Sequence, residues 1–143
     1  MKKFSRKRHL AKTITWRIIG TIDTILLGWL LTGELKYGVS IGFLELMTKM
    51  VLYYLHERAW YNWNFLNQTN SQIRHLLKTI TWRIVGTIDT ILLGWIVTGH
   101  AEIGFTIGGF ELITKMLLYY FHERIWYRSD FGLISNTEEE TKK

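Results

Sequence analysis

Residues 12–33 read KTITWRIIGTIDTILLGWLLTG, and residues 78–99 read KTITWRIVGTIDTILLGWIVTG. A second pair follows, ELMTKMVLYYLHERAWY at 45–61 and ELITKMLLYYFHERIWY at 111–127. One shift of 66 residues lays Arg8–Tyr61 on Arg74–Tyr127 without a gap, with 38 of 54 positions identical. The mismatches gather around residues 34–44, where Glu34, Leu35 and Lys36 face His100, Ala101 and Glu102. The chain is therefore a duplicated two-segment unit. It divides into a basic tail (1–11), a first repeat (12–61), a linker (62–77), a second repeat (78–127) and a polar tail (128–143).

Each repeat carries two apolar segments, near 13–32 and 39–56 and again near 79–98 and 105–122. At about 17–20 residues each, they match the hydrocarbon thickness of a bilayer. Gly33 and Gly38, like Gly99 and Gly104, are expected to bracket a tight connection between helices. The rival is a soluble four-helix bundle, because interrupted apolar runs also suit amphipathic helices. The placement of charge decides between them. Of 18 Lys and Arg, thirteen fall in the two tails, the central linker and its flanks. Lys36 alone lies on the opposite side, and Arg17, Lys49, Arg83 and Lys115 lie within the segments. That asymmetry follows the positive-inside rule. The expected fold is an all-α membrane protein of four transmembrane helices, formed by two two-helix repeats of parallel topology. The expected location is the inner (cytoplasmic) membrane, multi-pass, with both termini cytoplasmic. Trp16, Tyr53, Tyr54, Trp60 and Tyr61 recur near that side, as an interfacial aromatic belt would.

Composition removes other classes. The chain has 143 residues, a net charge of +6, and neither Cys nor Pro. It therefore has no disulfide framework, cysteine-based zinc site or cysteine nucleophile. The basic start followed by an apolar run imitates a signal peptide, but it lacks a small-residue cleavage site and recurs internally from Lys78. The basic tail lacks the aromatic-interleaved groove of a nucleic-acid binder, so no nucleic-acid partner is expected. Asn67-Gln68-Thr69 matches a glycosylation sequon on the expected cytoplasmic side, where it has no use. Residues 60–74 read as an interfacial turn on the membrane surface, and the tail after Gly132 as disordered.

The faces of the helices follow from about 100° per residue. In the first segment Ile18, Ile19, Ile22, Ile25, Leu26 and Trp29 form an arc suited to lipid. Thr13, Arg17, Gly20, Thr21, Asp23, Thr24 and Gly28 form the opposite arc. Gly20, Thr24 and Gly28, with their copies Gly86, Thr90 and Gly94, follow the small-xxx-small spacing that lets membrane helices approach closely. In the second segment Gly38, Gly42, Glu45, Lys49, Tyr53 and His56 fall in a stripe roughly 80° wide.

Arg17, Asp23, Glu45 and Lys49, with Arg83, Asp89, Glu111 and Lys115, place four charges in each repeat within the membrane segments, Arg17 lying shallower, near the level of Tyr53 and Glu57, where it can snorkel. Their depths make Asp23–Lys49 and Asp89–Lys115 pairing across each hairpin plausible. The nine Ile and Leu of the first segment contribute roughly −4 to −5 kcal/mol to insertion, against about +3 kcal/mol for a central Asp. In the second segment Glu45 and Lys49 roughly cancel the apolar gain. Each repeat should thus enter as a hairpin. The eight charges either form a buried ionic network that fixes register or line a path for a small ion. His56-Glu57-Arg58 and His122-Glu123-Arg124 lack the second His of an H-E-x-x-H metal motif. They are expected to cap their helices among the headgroups, with no metal, cofactor or enzymatic role.

The W-R-x-x-G-T-x-D-T and T-K-M-x-L-Y-Y-x-H-E-R-x-W strings of both repeats resemble a bacterial membrane family, the domain of unknown function 2061. The resemblance covers about 108 of the 143 residues, and both copies keep the family's charged positions. It implies a two-helix membrane module occurring singly or in tandem, sometimes joined to a sulfate-activating kinase. That association points to sulfur oxyanions and carries no established activity. The reading that results is a small non-catalytic membrane protein that transports or conducts a small ion. The lipid bilayer is one partner, and a homo-oligomer or another membrane protein the second. The alternative is an accessory or scaffolding subunit whose charges are purely structural.

Overall fold

A computed structural model describes residues 3–4, 6–62, 71–131 and 133–134. Its elements in chain order are β1 (Lys3–Phe4), α1 (Arg6–Thr32), α2 (Leu35–Asn62), α3 (Ser71–Thr98), α4 (Ala101–Arg128) and β2 (Leu133–Ile134). Helices of 27 or 28 residues are about 40 Å long, so their ends extend beyond a hydrocarbon core of about 30 Å. By length and composition α1, α2 and α3 are apolar enough to cross a membrane. The fourth, α4, has the length of α2 but falls short in apolar composition.

Two antiparallel hairpins result, α1–α2 and α3–α4. Gly33 and Gly99 end the first helix of each in the left-handed conformation, with φ of 75° and 76°. There Gly33 N–H donates to Trp29 O, and Gly99 N–H to Trp95 O, at 2.8 Å each. Only two residues separate the helices, fewer than expected, because Gly38 and Gly104 lie inside α2 and α4. They are close-approach residues and not turn residues. A Cβ at Gly38 would collide with the carbonyl of Ile25 and lie 2.8 Å from Trp29 N. A Cβ at Gly28 would lie 2.7 Å from Gly38 Cα. The two glycines let the backbones of α1 and α2 meet, and Gly94 with Gly104 does the same in the second hairpin.

The hairpins pack so that α1 lies against α2 and α4, and α3 against α4 and α2. Contacts between repeats come in twins with the copies exchanged: Lys12–Glu123 matches Lys78–Glu57, and Lys49–Glu111 matches Lys115–Glu45. The repeats are therefore related by a pseudo-twofold axis along the bundle, as their parallel topology requires. Ile18, Ile22, Leu26 and Trp29 are exposed, as a lipid-facing arc demands. Ile25 departs from that arc: it fills the notch of Gly42, where a Cβ would lie 2.6 Å from its Cγ1. The small apolar core of Ile41, Leu93 and Ile107 lies toward the short connections.

Two further expectations change at the ends. Helix α2 continues through Asn62 and α3 begins at Ser71, so the linker is helical at both edges. The proposed interfacial turn at 63–70 lies outside the described residues, as do 135–143 of the tail expected to be disordered. Leu133–Ile134 of that tail instead pairs with Lys3–Phe4, in the register Lys3↔Ile134 and Phe4↔Leu133. Arg8 fixes the same end. It is buried, and its guanidinium donates to Trp126 O in the last turn of α4 and to Ser129 O (2.8 Å) and Phe131 O (2.6 Å) just beyond it.

Candidate functional site

Of the second stripe, Glu45 and Lys49 reach the axis and meet their own copies there, whereas Gly38 and Gly42 face α1 and Tyr53 and His56 face α3. Glu45 and Glu111 are 5% exposed, deeper than any other acidic groups among the described residues. Lys115 Nζ lies 2.6 Å from Oε1 of both Glu45 and Glu111, and 3.2 Å from Thr24 Oγ1. Lys49 Nζ lies 2.9 Å from Glu111 Oε1 and 3.2 Å from Thr90 Oγ1, and also pairs with Glu45 Oε1. An ammonium has three protons, so each lysine is saturated. The four groups form a closed ring, two cations and two anions, each lysine spanning both repeats. The carboxylate Oε2 atoms of Glu45 and Glu111 are buried without a hydrogen-bond partner. That burial is a desolvation cost which the ring's charge-assisted bonds offset.

This geometry overturns the expected pairing of Asp23 with Lys49 and of Asp89 with Lys115. Asp23 faces α4, where Thr114 Oγ1 donates to its Oδ2 at 2.8 Å, and Thr48 does the same for Asp89 from α2. The reason is the direction of the side chains. Lysine stems aimed along the axis pass Gly20 and Gly86, whose ideal Cβ positions lie 3.8 and 3.7 Å from Lys115 Cε and Lys49 Cε. The aspartates, three residues further along α1 and α3, turn into the interfaces between repeats. Thr48 and Thr114 were not singled out in the sequence, although each sits one residue before a stripe lysine on the flank that faces the other repeat.

Above the ring, toward the end that carries both termini, a cavity of about 620 Å³ opens. Its walls include Thr13, Trp16, Arg17, Gly20, Thr21, Glu45, Lys49 and Tyr53, with the matching residues of the second repeat. Asp23 and Asp89 do not line it. Trp16 meets Tyr119, and Trp82 meets Tyr53, edge to face with ring centroids 5.3 Å apart. These pairs close the walls across the repeats. Below the ring, Thr24, Thr90, Ile41 and Ile107 are fully buried. The cavity is thus a vestibule closed at its inner end. Among the described residues, Arg17 and Arg83 have no carboxylate partner.

The H-E-R motifs sit at the same end but do not cap their helices as expected, because α2 runs on to Asn62 and α4 to Arg128. Glu57 accepts from Lys78, and Glu123 from Lys12, both at 2.7 Å. His122 Nε2 lies 2.9 Å from Thr15 Oγ1, which also accepts from Trp126 Nε1 at 3.2 Å. With the Thr15 hydroxyl donating to Lys12 O, the histidine donates from Nε2. His56, Trp60 and Thr81 repeat the arrangement. Only Arg58 and Arg124 turn outward, to Tyr54 and Tyr120 on their own helices at 3.2 Å. The motif joins α2 to α3 and α4 to α1. Thr15 and Thr81 were missed in the sequence, where one threonine among several gives no signal. No group of three or more His, Asp or Glu suited to a metal ion occurs among the described residues.

Four helices in a doubled hairpin, with long apolar outer faces and charges turned to an internal axis, define a helical membrane protein built by duplication. The chain belongs to the family of predicted membrane proteins DUF2061, whose profile matches twice, over residues 10–61 and 76–127. Neither a curated protein nor a solved structure matches it significantly.

Proposed function

We propose that this membrane protein takes a small ion into the vestibule on its pseudo-twofold axis and passes it across the bilayer. In this reading all four helices span the cytoplasmic membrane, both termini are cytoplasmic and the protein is non-catalytic. The charge asymmetry of the tails supports that orientation. The observation that carries the ion reading is the cavity of about 620 Å³, lined by ionisable groups that are costly at membrane depth. At ~30 Å³ per water it holds on the order of twenty waters, enough for a hydrated ion. One chain supplies both halves, so no second copy is needed to complete the site. Transport then requires the Ile41–Ile107 end to open.

The accessory-subunit reading is favoured by a different observation, the saturation of both lysines by the ring. Ion flux into liposomes separates the two. Protons, monovalent cations, chloride and sulfate are tested beside a Gly20→Leu/Gly86→Leu variant that fills the vestibule and keeps native helicity. Flux lost in the variant supports the ion reading; absence of flux for every ion supports the accessory subunit.

A further inference from the structure

We infer that the vestibule takes an anion, and that Arg17 and Arg83 hold it as a pair, one from each repeat. This rests on the ion reading above and adds the sign of the ion, its binding residues and a stoichiometry of one per chain. Six charged side chains line the cavity: Arg17, Arg83, Lys49 and Lys115 against Glu45 and Glu111. The two lysines and two glutamates neutralise one another in the ring. What remains is a charge of two positive, and it belongs to the arginines, which have no carboxylate partner among the described residues.

Arg17 is exposed and Arg83 half-buried, and two like charges lining one cavity are unfavourable unless water or an anion meets them. A guanidinium keeps its proton and presents a planar fork of donors, so it cannot relieve the charge by titrating. Both arginines line the same cavity, one from each repeat, so an anion held there can take donors from both repeats. The ring beneath supplies a floor whose lysine protons are already committed, so the arginines and not the lysines are the binding groups. The negative charge of Glu45 and Glu111 is matched by the two lysines their Oε1 atoms hold, so the ring meets the anion as a neutral floor. The shared chemistry is a small anionic group, either a free inorganic anion or the phosphate of an anionic lipid headgroup.

The test is calorimetric titration of the purified full chain in neutral detergent with sodium nitrate, phosphate or sulfate, at ionic strength fixed with sodium gluconate. Saturable binding of one anion per chain is expected. Arg17→Gln and Arg83→Gln should each weaken it at least tenfold, and by similar factors, while Arg58→Gln leaves it unchanged. Thermal unfolding of each variant checks folding. Anionic lipid added to the micelles assigns the occupant: a lipid that displaces the free anion makes the headgroup the ligand, and one that does not leaves the inorganic anion. Saturable binding of sodium or potassium without any anion overturns this inference and spares the ion reading. No saturable binding of either sign overturns both. Anion binding that survives both arginine substitutions overturns the assignment to this pair.

Discussion

Lys49 and Glu111 belong to different repeats, and their contact at 2.9 Å is the most informative place to perturb the fold. A unit charge pair at that separation has a gross attraction of about 6 kcal/mol at an effective dielectric of about 20. Burial of both partners removes most of it. Each group also keeps a second partner when one is deleted, since Glu45 still faces Lys49 and Lys115 still faces Glu111. A net coupling of about 2 kcal/mol follows, in the range of hydrogen bonds to charged groups. The assay is a double-mutant cycle with Lys49→Met and Glu111→Gln, read as unfolding free energy in mixed micelles titrated with denaturing detergent. The single Glu111→Gln should cost about 3–5 kcal/mol, because it leaves two buried ammonium groups on one carboxylate. Adding Lys49→Met should recover part of that loss. A parallel cycle on Asp23 and Lys49 should couple by less than about 0.5 kcal/mol. Additive behaviour at Lys49–Glu111, with strong coupling at Asp23–Lys49, would refute pairing across the repeats.

Glycines separate close approach from empty space. Gly38→Ala, whose Cβ would collide with Ile25 O, should destabilise by about 1–3 kcal/mol in the same unfolding assay. Gly109→Ala, with nothing within 4 Å, should stabilise α4 by about 0.5–1 kcal/mol. Thr15→Val leaves the Trp126 and His122 ring N–H groups without an acceptor, so unfolding should become easier by about 1–3 kcal/mol. The half-exposed Lys12–Glu123 pair is worth less than about 1 kcal/mol. Lys12→Glu with Glu123→Lys should restore whatever either substitution removes, and a measured cost above about 2 kcal/mol for one of them would show the pair to be more than a surface contact.

The hairpins, their number and the polar stripe of α2 were legible because apolar length, glycine spacing and repetition are local properties of the chain. Gly33 and Gly99 marked the helix ends for the same reason. The partners of the charges were not legible. Depth along a helix places Asp23 and Lys49 at one level, yet depth does not fix the azimuth at which two hairpins dock. That azimuth sends Asp23 to Thr114 and Lys49 to Glu111. The duplication held a clue in its symmetry: a stripe facing a twofold axis meets its own copy, so Glu45 and Lys49 must face Glu111 and Lys115. Arg8 read as one more basic tail residue, and its hold on the carbonyls at and beyond the end of α4 depends on a contact across more than a hundred residues. The roles of Thr15 and Thr48 likewise arise only when α1 meets α4 and α2 meets α3.

Water should reach the axis from one end only and stop at the charge ring. The chain has no Cys, so single cysteines report without background. Gly20→Cys places its thiol in the vestibule, where a Cβ has only Lys115 Cε nearby at 3.8 Å, and Thr24→Cys places it at a fully buried position one turn deeper. Both are treated with a membrane-impermeant thiol reagent in vesicles of known orientation. Labelling is expected at Gly20→Cys, only from the side bearing the termini, and none at Thr24→Cys from either side. An unreactive Gly20→Cys in a folded protein, or equal labelling of both positions, would contradict it.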